Sequence, residues 1–339
     1  MGRFEFLDFL KGFLIFLVTI GHAIQFVAYQ NTDFWSDPVF KAIYIFHMPL
    51  FMAVAGYVSY SGLSKSKNIM LYVRLRLQTY LIPVFVWAAM FQTALFIMKS
   101  HLSITDLPVS IINEALTSLW FIWALLGAII VTALAQSAGR YRNLFFIVLF
   151  VMILYLPDVY NIHLFKYTLP FFIIGFLASS MHFKGIGSKL EYPLIMILGC
   201  FSFLCFIIWD NETYIYISKM ELSLDNAFNV IFRWLSGAIV SVFVVMLLYK
   251  VYCVIPLKIK TMVSSVGKDS LYIYIIQGYL FMVIGKFFTK IYYLGGNNFF
   301  EYLAILIIGV VVALISWGGG HVLSKNKFIA KCLFGKVVV

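Results

Sequence analysis

Charge is scarce in this chain. Only 12% of its 339 residues are Asp, Glu, Lys or Arg, while 63% are hydrophobic, against roughly 25% and 45–50% in soluble domains. A soluble fold of this length cannot cover that much apolar surface, so the composition points to a chain solvated by lipid. Cysteine is sparse too, with 4 in all. Cys200 and Cys205 fall inside one apolar run, and Cys253 and Cys332 on what reads as the cytoplasmic side. No pair shares an outer loop, so neither a disulfide framework nor a metal site is expected. Low-complexity tracts, short-period repeats and insertions the size of a soluble domain are also missing. Residues 1–339 therefore read as a single membrane domain. A cleavable leader is not expected, because charged residues interrupt the first apolar stretch and no small-residue cleavage site follows it.

What is present is a succession of apolar runs, at approximately 6–29, 40–62, 71–98, 116–136, 143–157, 166–182, 192–209, 228–250, 268–290 and 301–323. The expected fold is all-α and polytopic, with about ten transmembrane helices. The fifth run is cleanly apolar only over 144–156 and is short for a lipid-facing helix. Charge parity argues for keeping it. With ten spans and a cytoplasmic N-terminus, most of the 25 basic residues face inward and most of the 14 acidic ones outward. Deleting the fifth span would invert every later loop against the positive-inside rule. Both termini are thus predicted to be cytoplasmic. The net charge of +11 is mostly an orientation signal, and basic loops attract anionic lipid headgroups or a phosphorylated cosubstrate. No nucleic-acid motif accompanies it, so membrane lipids are expected partners and nucleic acid is not.

Ionisable residues interrupt the first run, which carries Asp8, Lys11 and His22. At 100° per residue, the 11 steps from Lys11 to His22 leave them about 20° apart, on one helix face. Asp8, three residues before Lys11, falls near the same stripe. Such groups are costly in a bilayer and ordinarily face a protein interior or a water-filled cavity. The second run adds Phe46-His47-Met48-Pro49. His22 lies about 9 Å and His47 about 10 Å from the outer ends of their helices, so two histidines at matched depth can share one cavity. Pro49 removes a backbone hydrogen bond and is expected to bend the helix there, freeing a carbonyl that needs a polar neighbour. Histidine suits removal of a hydroxyl proton near neutral pH. The alternative is that both histidines only bridge helices by hydrogen bonds.

Leu7-Asp8-Phe9-Leu10-Lys11-Gly12, then Val18-Thr-Ile-Gly21-His22, then Phe46-His47-Met48-Pro49-Leu50-Phe51 with Gly56-Tyr57 resemble the membrane-bound acyltransferase-3 family. Further echoes are Arg74-Leu-Arg76 leading to Ile82-Pro83, Leu119-Trp120-Phe121, Leu169-Pro170-Phe171-Phe172 with Gly175, and Ser270-Leu-Tyr272-Ile-Tyr274. The resemblance runs over about residues 3–280, and the first two motifs in this order and spacing are its specific part. It implies a bacterial cytoplasmic-membrane O-acyltransferase. Such an enzyme moves an acyl group, commonly acetyl, from cytoplasmic acyl-CoA to a hydroxyl of an extracytoplasmic or lipid-linked carbohydrate. Acyl-CoA is then a cosubstrate, and no tightly bound cofactor is implied.

By position, the resemblance makes His22 the catalytic histidine, with His47, Lys11 and Asp8 around it. Lys11 stands where many members have arginine, which keeps the positive charge and loses the bidentate fork. Arg74 and Arg76 match a basic motif with compressed spacing and join Lys11 as candidates for binding the cosubstrate. Gln277 stands where related chains often place histidine, so a proton-transfer role there is lost. Trp120 and Glu114 are the candidate substrate-binding residues; interfacial anchoring and a solvated loop charge are their plainer readings. The outer segment 209–229, with Asp210, Glu212, Glu221 and Asp225, is by its length the natural acceptor-recognition loop. A transporter or flippase of a lipid-linked sugar is the rival class, although the two halves show no matched pair of broken helices. A catalytically inert scaffold is the third reading, kept open by Lys11 and Gln277.

Overall fold

The computed structural model describes residues 3–66, 68–98, 104–181, 188–220, 223–287 and 299–336. Among these residues every regular element is helical. Eight helical segments are long and apolar enough to cross a membrane: Glu5–Ala28, Pro38–Lys65, Ile69–Met98, Trp120–Ser137, Ile162–Ser180, Leu190–Ile208, Asn226–Val254 and Phe299–Leu323. The two remaining expected spans are helices as well. Arg142–Leu154 has 13 residues, about 20 Å of rise against roughly 30 Å of hydrocarbon. Ser270–Phe287 has 18 residues, and the rest of the ninth expected span, 288–290, lies outside the described residues. The chain is thus an all-α polytopic membrane protein.

It divides into two compact units, Met1–Val54 with Met181–Gly320, and Ala55–Ser180 with His321–Val339. In the first, the helix Arg3–Ala23 is buried by three others. Ile15 and Val18 pack with Val266, Ile273 and Ala313, which come from Leu257–Lys268, Ser270–Phe287 and Phe299–Leu323 respectively. Leu257–Lys268 lies where the sequence shows only a lysine-bearing connection. Its polar content hides a helix that is apolar on one side, with Val266 fully buried and Lys258 and Lys268 exposed. Glycines let it lie directly on the first helix. A Cβ on Gly267 would sit 1.7 Å from the Asp8 carbonyl oxygen, and one on Gly12 would sit 2.1 Å from the Val263 carbonyl oxygen.

Two breaks differ from expectation. The second run is two helices, Pro38–Tyr44 and His47–Lys65, so the interruption falls at residues 45–46 and not at Pro49. Pro49 occupies the first turn of the second helix, where its missing N–H has no intrahelical acceptor to lose. The fourth run starts at Trp120, because residues 107–117 form their own helix, Leu107–Thr117.

In the second unit, Leu63, Ala133, Ala135, Phe146 and Phe176 form a core. Gly56 of the Gly-Tyr motif allows a close crossing there, since a Cβ would stand 2.0 Å from the Phe172 carbonyl oxygen. The C-terminal helix Lys327–Phe334 docks on Ile69–Met98, with Trp87 Nε1 donating to the Leu333 carbonyl at 2.9 Å.

Candidate active site

His22 stands at the last turn of the helix Arg3–Ala23, immediately before a π-helical turn over Ile24–Ala28. Such wide turns are rare and occur often at functional positions. Here it carries Phe26, whose ring meets His22 edge-on at 5.9 Å, as Phe281 does at the same distance. The two phenylalanines stack on each other at 6.1 Å. His22 is half-buried in this apolar sleeve.

The polar contact of His22 comes from 255 positions away. Its Nδ1 lies 2.8 Å from Gln277 Oε1. Gln277 is fully buried, and its Nε2 donates to the Tyr274 carbonyl at 3.2 Å. A carbonyl can only accept, so that bond fixes which end of the amide faces His22. The end that does is an acceptor, and Nδ1 must carry the proton. In the neutral ring the lone pair is then on Nε2, the nitrogen left for chemistry. Sequence reading treated Gln277 as the loss of a proton-transfer group. The structure makes it the group that sets the tautomer of His22.

His47 is the first residue of its helix and is buried. Its Nδ1 donates to the Ile43 carbonyl at 2.9 Å, filling the gap left by the break at 45–46. Its lone pair is therefore on Nε2 as well. His47 and His22 interact electrostatically. Asp8 and Lys11 form an ion pair at 2.7 Å, each side chain about one-fifth exposed. They lie under the contact with Leu257–Lys268, whose Gly267 rests on the Asp8 carbonyl.

The other sequence-selected residues belong to the second unit. Arg74 and Arg76 are two positions apart on one helix, about 200° around it, and they diverge. Arg74 is exposed, while Arg76 lies 5.0 Å over the Tyr72 ring and hydrogen-bonds Tyr72 and Tyr80. Glu114 is not a solvated loop charge. It is buried on Leu107–Thr117 and accepts from Gln92 Nε2 at 2.7 Å through Oε2. Its Oε1 is buried and takes no hydrogen bond among the described residues. Trp120 opens its helix half-buried, its ring 6.0 Å from Phe121. Trp123 is tied to the Ala115 carbonyl at 2.8 Å.

Arg233 was not anticipated. It is 1% exposed on the helix Leu224–Val254. Nε donates to the Thr213 carbonyl at 2.6 Å, Nη1 to the Lys219 carbonyl at 2.8 Å, and Nη2 to Ser218 Oγ. Lys219 takes a positive φ of 53° and presents that carbonyl. The guanidinium thereby folds residues 213–219 back on their own helix. Only an unremarkable arginine near the start of an apolar run marks this in sequence.

A histidine of fixed tautomer, half-buried among helices of a polytopic membrane protein, defines a site able to accept a proton. Residues 4–318 match the acyltransferase-3 family, described as an acyltransferase domain; the chain belongs to that family and is a membrane-bound O-acyltransferase. This decides between the enzyme and transporter classes that the sequence left open. Among its relatives, the nodulation protein NolL of Mesorhizobium japonicum is 31% identical over 340 residues, covering 97% of this chain and 89% of the relative. NolL of Sinorhizobium fredii is 32% identical over 283 residues, covering 81% and 77%. No solved structure matches the chain.

Proposed function

We propose that this protein transfers an acyl group, acetyl by default, from cytoplasmic acyl-CoA to a hydroxyl of an extracytoplasmic or lipid-linked carbohydrate, with His22 as general base. The observation that carries this reading is the 2.8 Å contact between His22 Nδ1 and Gln277 Oε1. It leaves Nε2 unprotonated in the neutral ring and holds the imidazole in one orientation. An imidazole so held takes a proton without first reorganising.

The acceptor hydroxyl gives its proton to His22 Nε2 as its oxygen bonds to the thioester carbon. The tetrahedral intermediate collapses with cleavage of the C–S bond, and the CoA thiolate takes the proton back from His22. His47 Nε2 carries a lone pair in the neutral ring, so in that form it accepts and cannot donate to the oxyanion. Its part is to close the helix break beside His22 and to receive a hydrogen bond from a substrate hydroxyl.

At the other end of the first helix, Lys11 stands about 16 Å from His22 by helix rise. Lys11, Lys258 and Lys268 are among the cations of the two helices joined at Gly12 and Gly267, and they suit the phosphates of a CoA whose pantetheine arm reaches inward. Asp8 holds the Lys11 ammonium in place by their ion pair. In the second unit, exposed Arg74 suits a phosphate, whereas Arg76 is engaged by tyrosines. In that same unit Glu114 Oε1, buried and without a donor among the described residues, suits a hydrogen bond from a hydroxyl, and the Trp120 ring suits an apolar sugar face. The experiment is acyl transfer by purified protein in liposomes, given radiolabelled acetyl-CoA and the glycolipid extract of the host cell. Label on glycan with the wild type, lost in His22→Ala, is the expected result.

A further inference from the structure

In the first unit a group of aromatic rings converges on His47. Phe34, Phe40 and Tyr214 are buried and form a floor, with Phe34 and Phe40 4.9 Å apart and Phe40 and Tyr214 6.1 Å apart. Trp35, Tyr44 and Tyr216 stand on it and remain partly exposed. The Trp35 ring is 5.0 Å from Tyr214 and 5.7 Å from Tyr216, at an interplanar angle of 35° to the latter. Tyr216 lies 6.0 Å from Tyr44 and hydrogen-bonds it. Tyr44 lies 4.6 Å from the His47 ring. The series therefore runs from partly exposed rings to His47.

Aromatic residues at a membrane surface are most often anchors that turn outward to the headgroups. These three are arranged differently. They face one another across two chain segments distant in sequence, and the loop bearing Tyr214 and Tyr216 is fixed by three donors of the buried Arg233. Burying a guanidinium is costly, and what it secures here is the position of those two tyrosines. The face is amphipathic: flat rings are interleaved with the Tyr44 and Tyr216 hydroxyls, and Lys41, one turn before Tyr44, interacts with Asp210. A pyranose has the complementary character, with an apolar C–H face and a rim of hydroxyls. Aromatic surfaces carrying a few polar groups orient such ligands.

We propose that Trp35, Tyr44 and Tyr216 form the subsite that holds the sugar ring of the acceptor and feeds its hydroxyl toward His22 and His47. This rests on the reading of the protein as a carbohydrate acyltransferase. It assigns acceptor recognition to Tyr216 in the outer segment together with Trp35 and Tyr44, rather than to the carboxylates of that segment.

The test uses purified full-length protein in liposomes, radiolabelled acetyl-CoA, and the glycolipid extract titrated as acceptor. Trp35→Ala and Tyr216→Leu are expected to raise the half-saturating glycolipid concentration about tenfold, with the half-saturating acetyl-CoA concentration unmoved. Trp35→Phe is expected to recover most of the loss. The thermal midpoint of each variant separates a binding defect from unfolding. Glycan labelling by the wild type, together with unaltered acceptor saturation in both variants, overturns the subsite alone. So does a loss in which saturation by both substrates shifts equally or Trp35→Phe fails to recover binding. A wild-type protein that labels lipid or protein but no glycan overturns the functional reading, and the subsite with it.

Discussion

Two hydrogen bonds of Gln277 decide what His22 is able to do. The bond to the Tyr274 carbonyl orients the amide, and the amide then assigns the imidazole proton to Nδ1. Replacing His22 by Ala is expected to lower transfer by about 10²–10⁴, the usual contribution of a positioned base. Gln277→Leu removes the acceptor and frees both the ring and its tautomer. The expected loss is about tenfold or more in kcat with little change in acyl-CoA saturation, because Gln277 is fully buried and acts through His22. Nitrogen NMR of the labelled His22 ring then gives a readout that a packing role would not move: protonated Nδ1 in the wild type, mixed tautomers in Gln277→Leu. A single Nδ1-protonated ring in the variant contradicts the assignment. The stripe of Asp8, Lys11 and His22 was legible from helical periodicity. The part played by Gln277 was not, because a contact spanning 255 positions leaves no trace in local pattern and amides are chemically plain.

Among the helices, the contact of Arg3–Ala23 with Leu257–Lys268 sets the geometry under the Asp8–Lys11 pair. Backbone meets backbone there, so side-chain rearrangement cannot absorb an added methyl. Gly267→Val is expected to destabilise the protein by roughly 1–3 kcal/mol through overpacking, read as a lower thermal midpoint in detergent. An unchanged midpoint would show that the crossing is looser than described. Arg233→Met takes the donors from two carbonyls and one hydroxyl, with an expected cost of roughly 2–4 kcal/mol. Limited proteolysis of that variant is expected to cut first within 211–220, and wild-type resistance there would contradict the role of the arginine. Long apolar helices announced themselves, since hydrophobic runs are the signal that a bilayer demands. Leu257–Lys268 did not, because its lysines resemble a connecting loop and its apolar side shows only against its partner. The break before His47 was misplaced by proline, whose effect depends on whether it falls inside a helix or in its first turn.

For the molecule as a whole, the proposed orientation rests on the positive-inside rule, with Lys258 cytoplasmic and Glu212 outside. In a background with the four native cysteines replaced by serine, Glu212→Cys is expected to react with an impermeant maleimide in intact cells. Lys258→Cys is expected to react only in inverted vesicles, and the opposite pattern would reverse the topology. The short helix Arg142–Leu154 has its own test. Arg140→Cys and Tyr160→Cys label from opposite sides if it crosses the membrane, and from one side if it does not. Family membership was legible from the first two helices, because charged and histidine residues in apolar runs are rare enough to be specific. Which surface receives the acceptor was not, since aromatic residues are common in every membrane helix.

The most direct measurement is transfer of radiolabel from acetyl-CoA to the glycolipid extract by purified protein in liposomes, with wild type and His22→Ala in parallel. The account predicts label on glycan with the wild type and none above background with the variant. Undiminished labelling of glycan by a properly folded His22→Ala protein would contradict it.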